Sequence, residues 1–398
     1  MRVRARFAFA LLCLSGPAWL SGCGTSVATG TDGGAQAVDG GALEDGGLAQ
    51  DGGAPLADGG APAQDGGLPQ DGGPPPDAGL PEDAGTLPET VHTVTMTGPA
   101  LAPGTEKTFC IVVRLDNAAG MLVRSIDTTL SVGSHHLVVY RYQPGTLTTG
   151  DGGVMERSTP FECTPFVDVA RFNAVPVMIT QTRRESLELP AGVAYEMGER
   201  QLVRVEAHYL NATTLPIQPV AEIHFRAVPL AANLTRADFL FFGTPDIDLR
   251  AGQRATVGPR FISQGIPTGA SIYALTTHTH RFGTQFKVQK SRSRTDVGTP
   301  LYEYDDWQWD EPPVKKFQTP LTFEPGEGVR FSCEYDNTSS ARVTFGEKAT
   351  QEMCFMWMYY YPSQGFHLCV DTDQFNAGQV CCPGHFVCPQ IAGFLGGG

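Results

Sequence analysis

The sequence predicts an all-β protein: two tandem antiparallel β-sandwich domains behind a disordered Gly/Asp/Pro-rich tether. Three observations carry this. Short runs such as TFCIVVRL, HHLVVYRY, QLVRVEAHYL, AEIHFRAV, QFKVQ and GVRFSCEY cluster or alternate β-formers between Gly, Pro and Asn turns. No stretch beyond residue 90 shows the sustained 3.6-residue apolar period of a long amphipathic helix. The composition also changes abruptly near residue 89, leaving roughly 300 residues in which two sandwiches of about 140 residues fit.

The chain opens with MRVRARFAFALLCLSGPAWLSGC, in which Arg2, Arg4 and Arg6 precede an apolar stretch and small residues precede a cysteine. Ser15, Gly16 and Pro17 interrupt that stretch, which makes it a poor transmembrane helix. Leu20-Ser21-Gly22-Cys23 resembles a bacterial lipoprotein signal. The resemblance implies that residues 1–22 are removed and that Cys23 carries the lipid. Gly24 does not resemble the inner-membrane retention signal, so the expected location is the outer membrane, on its periplasmic or surface face. An ordinary secretory signal with a chance cysteine is the alternative.

Residues 23–89 form the expected tether, in which DGG or DAG begins at Asp32 and recurs to Asp83 every six or seven residues. Such a segment has almost no apolar surface to bury and stays solvated. A flexible coil of this length reaches roughly 45 Å, enough to hold a folded part clear of a membrane. Calcium-binding repeats are the sharper alternative, but their strict nonapeptide period is missing. Residues 24–89 hold nine Asp and three Glu with no Lys or Arg, so most of the net charge of −14 lies there. The remainder has no basic surplus that would point to nucleic acid. Domain boundaries are expected at 90–230 and 231–375, with the break around Pro229–Thr235, and a Cys-rich tail at 376–398. Of ten cysteines, Cys13 leaves with the signal and Cys23 is lipidated. The even remainder in an exported chain reads as disulfides whose pairing spacing alone does not give.

The densest chemistry lies in Ser271–Gly283, SIYALTTHTHRFG, a strand-like run ending in His-x-His. Alternation along a strand puts His278 and His280 on one face, where two imidazoles can chelate one metal ion. A strand histidine is also commonly a surface or satisfied core residue. In SVGSHHLVVYRY, His135 and His136 are adjacent and face opposite ways on a regular strand. Joint coordination therefore needs a bulge, which Gly133 would permit. In LVRVEAHYLN, His208 shares the polar face with Arg204 and Glu206. Met353 in GEKATQEMCFMWMYYYP could add a thioether to the His278/His280 pair, although a Met in so apolar a segment is commonly core. A thioether with imidazoles favours Cu(I), pointing to copper in a redox role, and a second all-imidazole site would store another electron.

With these residues in view, the chain resembles the copper type II, ascorbate-dependent monooxygenases, the family of dopamine β-monooxygenase and peptidylglycine α-hydroxylating monooxygenase. The matching features are the His135–His136 pair, HY at His208–Tyr209, HTHxxG at His278–Gly283 and EMC at Glu352–Cys354. The YYYP at Tyr359–Pro362 looks closer to the dopamine branch. The resemblance implies jelly-roll-like sandwiches, each contributing one copper, facing across a solvent-filled cleft. It implies that His135, His136 and His208 hold an electron-transfer copper, and that His278, His280 and Met353 hold the oxygen-binding copper. The implied chemistry hydroxylates an activated C–H of a small substrate with O₂ and electrons from ascorbate or a similar donor. It also implies a Cys333–Cys354 bridge and makes Cys110–Cys163 plausible by position. The partner usual for Cys369 is missing, so Cys369, Cys381, Cys382 and Cys388 are expected to pair within the tail. A zinc knot with His385 is the alternative there.

One departure bears on the substrate. Peptide-amidating members clamp a carboxylate at positions that here hold Thr276, Phe355 and Trp357, so no charged fork is expected. Phe355 and Trp357, with Trp307 and Trp309, either line an apolar pocket or are core aromatics, the commoner role. Asp305, Asp306 and Asp310 would suit an amine but read more simply as a solvated loop. Two functions of different class fit: a catalytic copper monooxygenase, or a copper-binding or adhesive lipoprotein without turnover. A zinc hydrolase fits poorly, since Met is a poor zinc ligand and no Glu lies between the histidines.

Overall fold

The computed structural model describes residues 88–146, 155–166, 173–374, 378–388 and 390–391. The signal, Cys23 and the tether as far as residue 87 lie outside the described residues. Among the described residues every named element is a strand, so the all-β expectation holds. Among the described residues no helix is long and apolar enough to cross a membrane.

Four large sheets are ordered along the chain. In the first, Thr90–Thr97, Val220–Pro229, Met121–Leu130, Val193–Met197 and Thr235–Arg236 lie side by side, and Arg184–Glu188 pairs with Met121–Leu130. In the second the order is Arg157–Glu162, Glu106–Arg114, Leu202–Leu210, Ser134–Tyr142 and Ala174–Thr180. The third runs Lys315–Leu321, Ser271–His278, Phe355–Tyr361, Asp238–Gly243, His367–Thr372 and Gly378–Cys382. The fourth is Arg254–Ile262, Gly328–Asp336, Gly283–Ser291 and Thr299–Tyr302. Pairing passes from the first sheet to the third between Arg236 and Asp238. Gly378–Cys382, at the start of the cysteine-rich end, is a full sheet member paired with His367–Thr372.

Strand periodicity shows how the layers stack. The first and second sheets close over Val94, Met96, Ile223 and Phe225 on one side and Phe109, Ile111, Val139 and Val205 on the other. The third and fourth close over Leu240, Phe242, Met356, Met358 and Tyr360 against Val257, Phe286, Val329 and Phe331. The second and third sheets are buried on both faces. Leu202–Leu210 is buried at every residue but the last, and Asp238–Gly243 is buried throughout. In Phe355–Tyr361, Met356, Met358 and Tyr360 turn to the fourth sheet, while Phe355, Trp357 and Tyr359 join the core of the N-terminal sandwich. Continuous apolar strands of this kind mark sheets covered on both sides.

The two sandwiches therefore pack sheet on sheet. Phe166 stacks on Phe241 at 5.7 Å, the Tyr195 and Tyr273 hydroxyls meet at 3.4 Å, and the Tyr359 hydroxyl accepts the Ile179 N–H at 3.3 Å. Phe239, Phe241, Phe355, Trp357 and Tyr359 are all buried there. Each contributes about 1.5–3 kcal/mol on burial, so opening this face would forfeit on the order of 10 kcal/mol. Where the resemblance implied a solvent-filled cleft, these aromatics form a packed, buried interface between the sandwiches. The strand pattern shows that these aromatics alternate, but not which outer face a second sandwich covers.

Candidate metal centre

At one end of this interface the structure gathers the histidines singled out in the sequence. His135 sits at the hub, with its ring centroid 5.0 Å from His136, 5.3 Å from His208, 5.3 Å from His278 and 5.4 Å from His280. His136 lies 5.1 Å from His208, and His278 lies 5.0 Å from His280. Two overlapping triads, His135–His136–His208 and His135–His278–His280, each place one nitrogen per ring within 4.8 Å of the others. All five side chains are buried.

Local backbone features make this convergence possible. Ser134–Tyr142 pairs with Leu202–Leu210 in register except between Ser134 and His136, where the register shifts. The bulge lets adjacent histidines turn into one space. Gly133 precedes it with φ of 84°, and a Cβ there would lie 2.4 Å from Ile217 Cδ1, so only glycine fits. His208 stands directly opposite His136, and its polar face, shared with Arg204 and Glu206, is buried rather than solvated. His280 was expected on the strand, but the strand ends at His278. A loop carries His280 back, held by Glu352, which accepts the N–H groups of His280 at 2.8 Å and Phe282 at 2.7 Å. At Gly283 a Cβ would fall 1.9 Å from Thr279 Oγ1, which explains the glycine closing the HTHxxG motif.

Hydrogen bonds on the outer edges of the rings aim the inner nitrogens. His278 Nδ1 is 2.5 Å from Gln181 Oε1, and Gln181 Nε2 donates to the Thr277 carbonyl at 2.8 Å. His280 Nδ1 is 3.0 Å from the Gln351 carbonyl, leaving Nε2 inward. His208 Nε2 is 2.8 Å from Glu106 Oε1, which also accepts the Ala349 N–H at 2.8 Å. Glu106 and Gln181 belong to the N-terminal sandwich, and each is tied to the C-terminal one. Neither signalled a role in the sequence. Carboxylates, amides and carbonyls on the rear nitrogen of metal-binding imidazoles fix tautomer and orientation.

Several buried ring nitrogens have no hydrogen-bond partner among the described residues: both of His135, both of His136, Nδ1 of His208 and Nε2 of His280. Buried polar atoms in folded proteins are rarely left unpaired, so this set calls for a bound cation. Burial, then the neighbouring imidazoles, pushes His135, His136 and His278 well below the ordinary histidine range. Burial lowers His280 to about 4. The rings are therefore neutral, with lone pairs free to bind metal. For Glu106, burial would raise the carboxyl, but the bonds to His208 and Ala349 outweigh it and hold it low. For Glu352 burial wins over its backbone donors, raising it to about 7.

Met353 is fully buried, and its carbonyl accepts the Tyr335 hydroxyl at 2.6 Å. It follows Glu352, which clasps the His280 loop, so its segment adjoins the cluster. Cys333–Cys354 bridges the fourth sheet to the start of Phe355–Tyr361, and Cys110–Cys163 links Glu106–Arg114 to the chain just past Arg157–Glu162. The remaining cysteines pair as Cys369–Cys381 and Cys382–Cys388, which replaces the zinc-knot alternative with two disulfides. Of the aromatic residues, Phe355 and Trp357 are core, Trp307 donates to Thr277 Oγ1 at 3.2 Å, and half-buried Trp309 packs 5.3 Å from His135. Thr276 is buried and donates to the Pro313 carbonyl, so no carboxylate fork exists at that position.

Residues 259–378 match the family described as copper type II ascorbate-dependent monooxygenase, C-terminal domain. A dopamine beta-hydroxylase of Equus caballus is 24% identical over 361 residues, 77% of this chain and 55% of that protein. A dopamine beta-hydroxylase of Canis lupus familiaris is 26% identical over 141 residues, 32% of this chain and 22% of that protein. A tyramine beta-hydroxylase of Caenorhabditis briggsae is 27% identical over 114 residues, 28% of this chain and 19% of that protein. The matches therefore span at most about half the length of these relatives. Among solved structures, the major capsid protein P2 from Bacteriophage PM2 aligns with a TM-score of 0.29 at 11% identity, over 68% of this chain and 97% of that one. A likeness so low bears on nothing further.

Proposed function

We propose that this chain, which carries the C-terminal domain of the copper type II, ascorbate-dependent monooxygenase family, is a copper monooxygenase. It hydroxylates an activated C–H bond of a small organic substrate, using O₂ and an ascorbate-like donor. The observation that carries the reading is the set of five buried, converging imidazoles, with buried ring nitrogens of His135, His136, His208 and His280 lacking partners among the described residues. His135, His136 and His208 would hold one copper, and His278, His280 and Met353 a second. Bound copper would supply one-electron redox chemistry and activation of O₂, and the thioether favours the reduced state at the second position. Gln181, Glu106 and the Gln351 carbonyl orient the rings. The aromatic interface covers the cluster on the side of Phe355 and Trp357. Trp309, half-buried against His135, stands on the exposed side, where an apolar or aromatic substrate would approach.

The lipid anchor at Cys23 and an outer-membrane location belong to the same proposal. They rest on the leader sequence. A copper-binding lipoprotein without turnover is the second reading, and copper content alone does not separate the two. Oxygen consumption with ascorbate, coupled to hydroxylated product, does. Catalysis requires that Met353→Ala and His208→Ala each abolish it. Copper bound at both positions without coupled product across an aromatic and amine substrate screen would favour the second reading.

A further inference from the structure

A row of oxidisable rings leads away from the histidine cluster through the interface between the sandwiches. It starts at Trp357, whose ring lies 6.1 Å from His278. Tyr359 follows on the same face of Phe355–Tyr361, one side-chain repeat of about 7 Å further along the strand. The Tyr273 ring lies 5.9 Å from Tyr359, and the Tyr361 ring lies 6.1 Å from Tyr273. His278 pairs with Phe355 and Ser271 with Tyr361, so the row runs the length of that strand, about 20 Å. It ends at a groove of about 450 Å³ lined by Tyr273 and half-buried Tyr361, where Glu188, Lys316 and Gln318 are exposed.

Packing alone does not ask for these residues. Phe239 and Phe241 flank the row, 5.2 Å from Tyr359 and 6.3 Å from Trp357, and fill space without a polar atom. Phenylalanine would fill positions 357, 359 and 273 without the desolvation cost of a buried indole N–H or phenol. What indole and phenol add is an oxidation potential low enough to yield an electron to a strong oxidant. Tunnelling falls steeply with distance, so neighbouring rings pass an electron much faster than aliphatic side chains spanning the same length. Mild donors do not turn such rings over, which leaves strong oxidants formed at the metal position as what the row can serve. Burial pushes the Tyr359 and Tyr273 phenols well above their ordinary range. The Tyr359 hydroxyl meets the Ile179 backbone and the Tyr273 hydroxyl meets that of Tyr195, neither of them a base. Those two rings therefore keep their protons and act as bridges, while Tyr361 stands where water can take one.

We propose that Trp357, Tyr359, Tyr273 and Tyr361 form an escape route, which carries oxidising equivalents from the copper position of His278, His280 and Met353 to the surface when no substrate consumes them. The inference rests on copper at that position and adds a protective function to the monooxygenase reading. The group at risk is the Met353 thioether, which peroxide converts to a sulfoxide. With peroxide as the oxidant, copper(I) gives one electron and Trp357 gives the second. The O–O bond breaks, one proton enters from solvent, and the products are one hydroxide, one water and copper(II). Tyr361 refills Trp357 with an electron through Tyr273 and Tyr359, and releases its own proton to water in the groove. It is left as a neutral phenoxyl radical, which a small thiol or enediol in solvent restores by giving a hydrogen atom.

The experiment uses the full chain loaded with copper(I), its copper content measured first, and mixes it with hydrogen peroxide in the absence of oxygen and substrate. Samples are frozen rapidly for electron paramagnetic resonance and digested in parallel for peptide mass spectrometry. The parent should give a narrow organic radical signal whose splitting collapses when the chain is made with ring-deuterated tyrosine. Tyr361→Phe, which removes one hydroxyl at the groove, and Trp357→Phe, which keeps a ring in the core, should each lose that signal. In both, copper content should match the parent and Met353 sulfoxide should rise above it. The copper-free chain should give no radical. A parent without a tyrosyl signal, a signal that persists in Tyr361→Phe, or oxidation confined to Trp309 beside His135 overturns the route and leaves the monooxygenase reading standing. Unchanged Met353 sulfoxide in both variants does the same. Failure of the chain to bind copper overturns both.

Discussion

Replacing Gln181 by alanine tests whether the N-terminal sandwich aims a metal ligand of the C-terminal one. Gln181 is buried, receives His278 Nδ1 at 2.5 Å, and donates to the Thr277 carbonyl at 2.8 Å. Truncation removes both bonds and leaves two buried polar groups behind. Each unsatisfied group costs about 1–3 kcal/mol, so a loss of about 2–5 kcal/mol in stability is expected. Loss of a hydrogen bond to the rear nitrogen of a metal-binding histidine lowers metal affinity about 10–100-fold. Gln181→Glu separates the two effects. Its carboxylate still accepts from His278 Nδ1–H but cannot donate to Thr277. Copper(I) affinity, measured by competition with a chromophoric chelator, should fall in Gln181→Ala and hold in Gln181→Glu. Denaturant unfolding should show both variants weakened. Equal affinity losses in the two variants, or an alanine variant within two-fold of the parent, would refute the positioning role.

Other expectations follow from single contacts. Gly283→Ala would set a Cβ 1.9 Å from Thr279 Oγ1, so the His280 loop must shift, and copper per chain should drop relative to the parent. A Cys333→Ala, Cys354→Ala double variant removes a cross-sheet bridge spanning 21 residues. It should lower unfolding free energy by about 3 kcal/mol, and a change below about 1 kcal/mol would mean packing alone holds those strands. In the copper-free chain, nitrogen-15 NMR at pH 5.5 should find the rings of His135, His136, His278 and His280 still neutral. Their values are depressed, so protonation begins only below the ordinary midpoint near 6.5. Ring titrations centred near that ordinary value would contradict the buried cluster.

The all-β class and most strands were legible in the chain because alternation and turn residues act locally. QLVRVEAHYL and GVRFSCEY coincide with strands at Leu202–Leu210 and Gly328–Asp336 almost residue for residue. The bulge at His135 was legible too, since adjacent histidines serve one site only if the strand is irregular and a permissive glycine precedes them. His280 was placed on the wrong element. HTH reads as a strand alternation, and the Glu352 carboxylate that folds it into a loop lies 72 residues away.

By itself the sequence singled out the residues expected to carry the chemistry: the histidines, Met353 and the cysteines, each picked out by side-chain type and spacing. Only the tertiary structure decided what those residues face. Arg204, Glu206 and His208 form a polar stripe that a lone sheet would give to water, and a second sandwich buries it. Phe355, Trp357 and Tyr359 alternate as in any half-exposed strand, yet they seal the interface in which His135 meets all four other rings. Gln181 and Glu106 are unremarkable glutamine and glutamate until that packing sets them behind imidazoles of the cluster. The reason is physical. Period and propensity act over a few residues, whereas the covering of one sheet by another depends on surfaces that the chain brings together from more than a hundred residues apart.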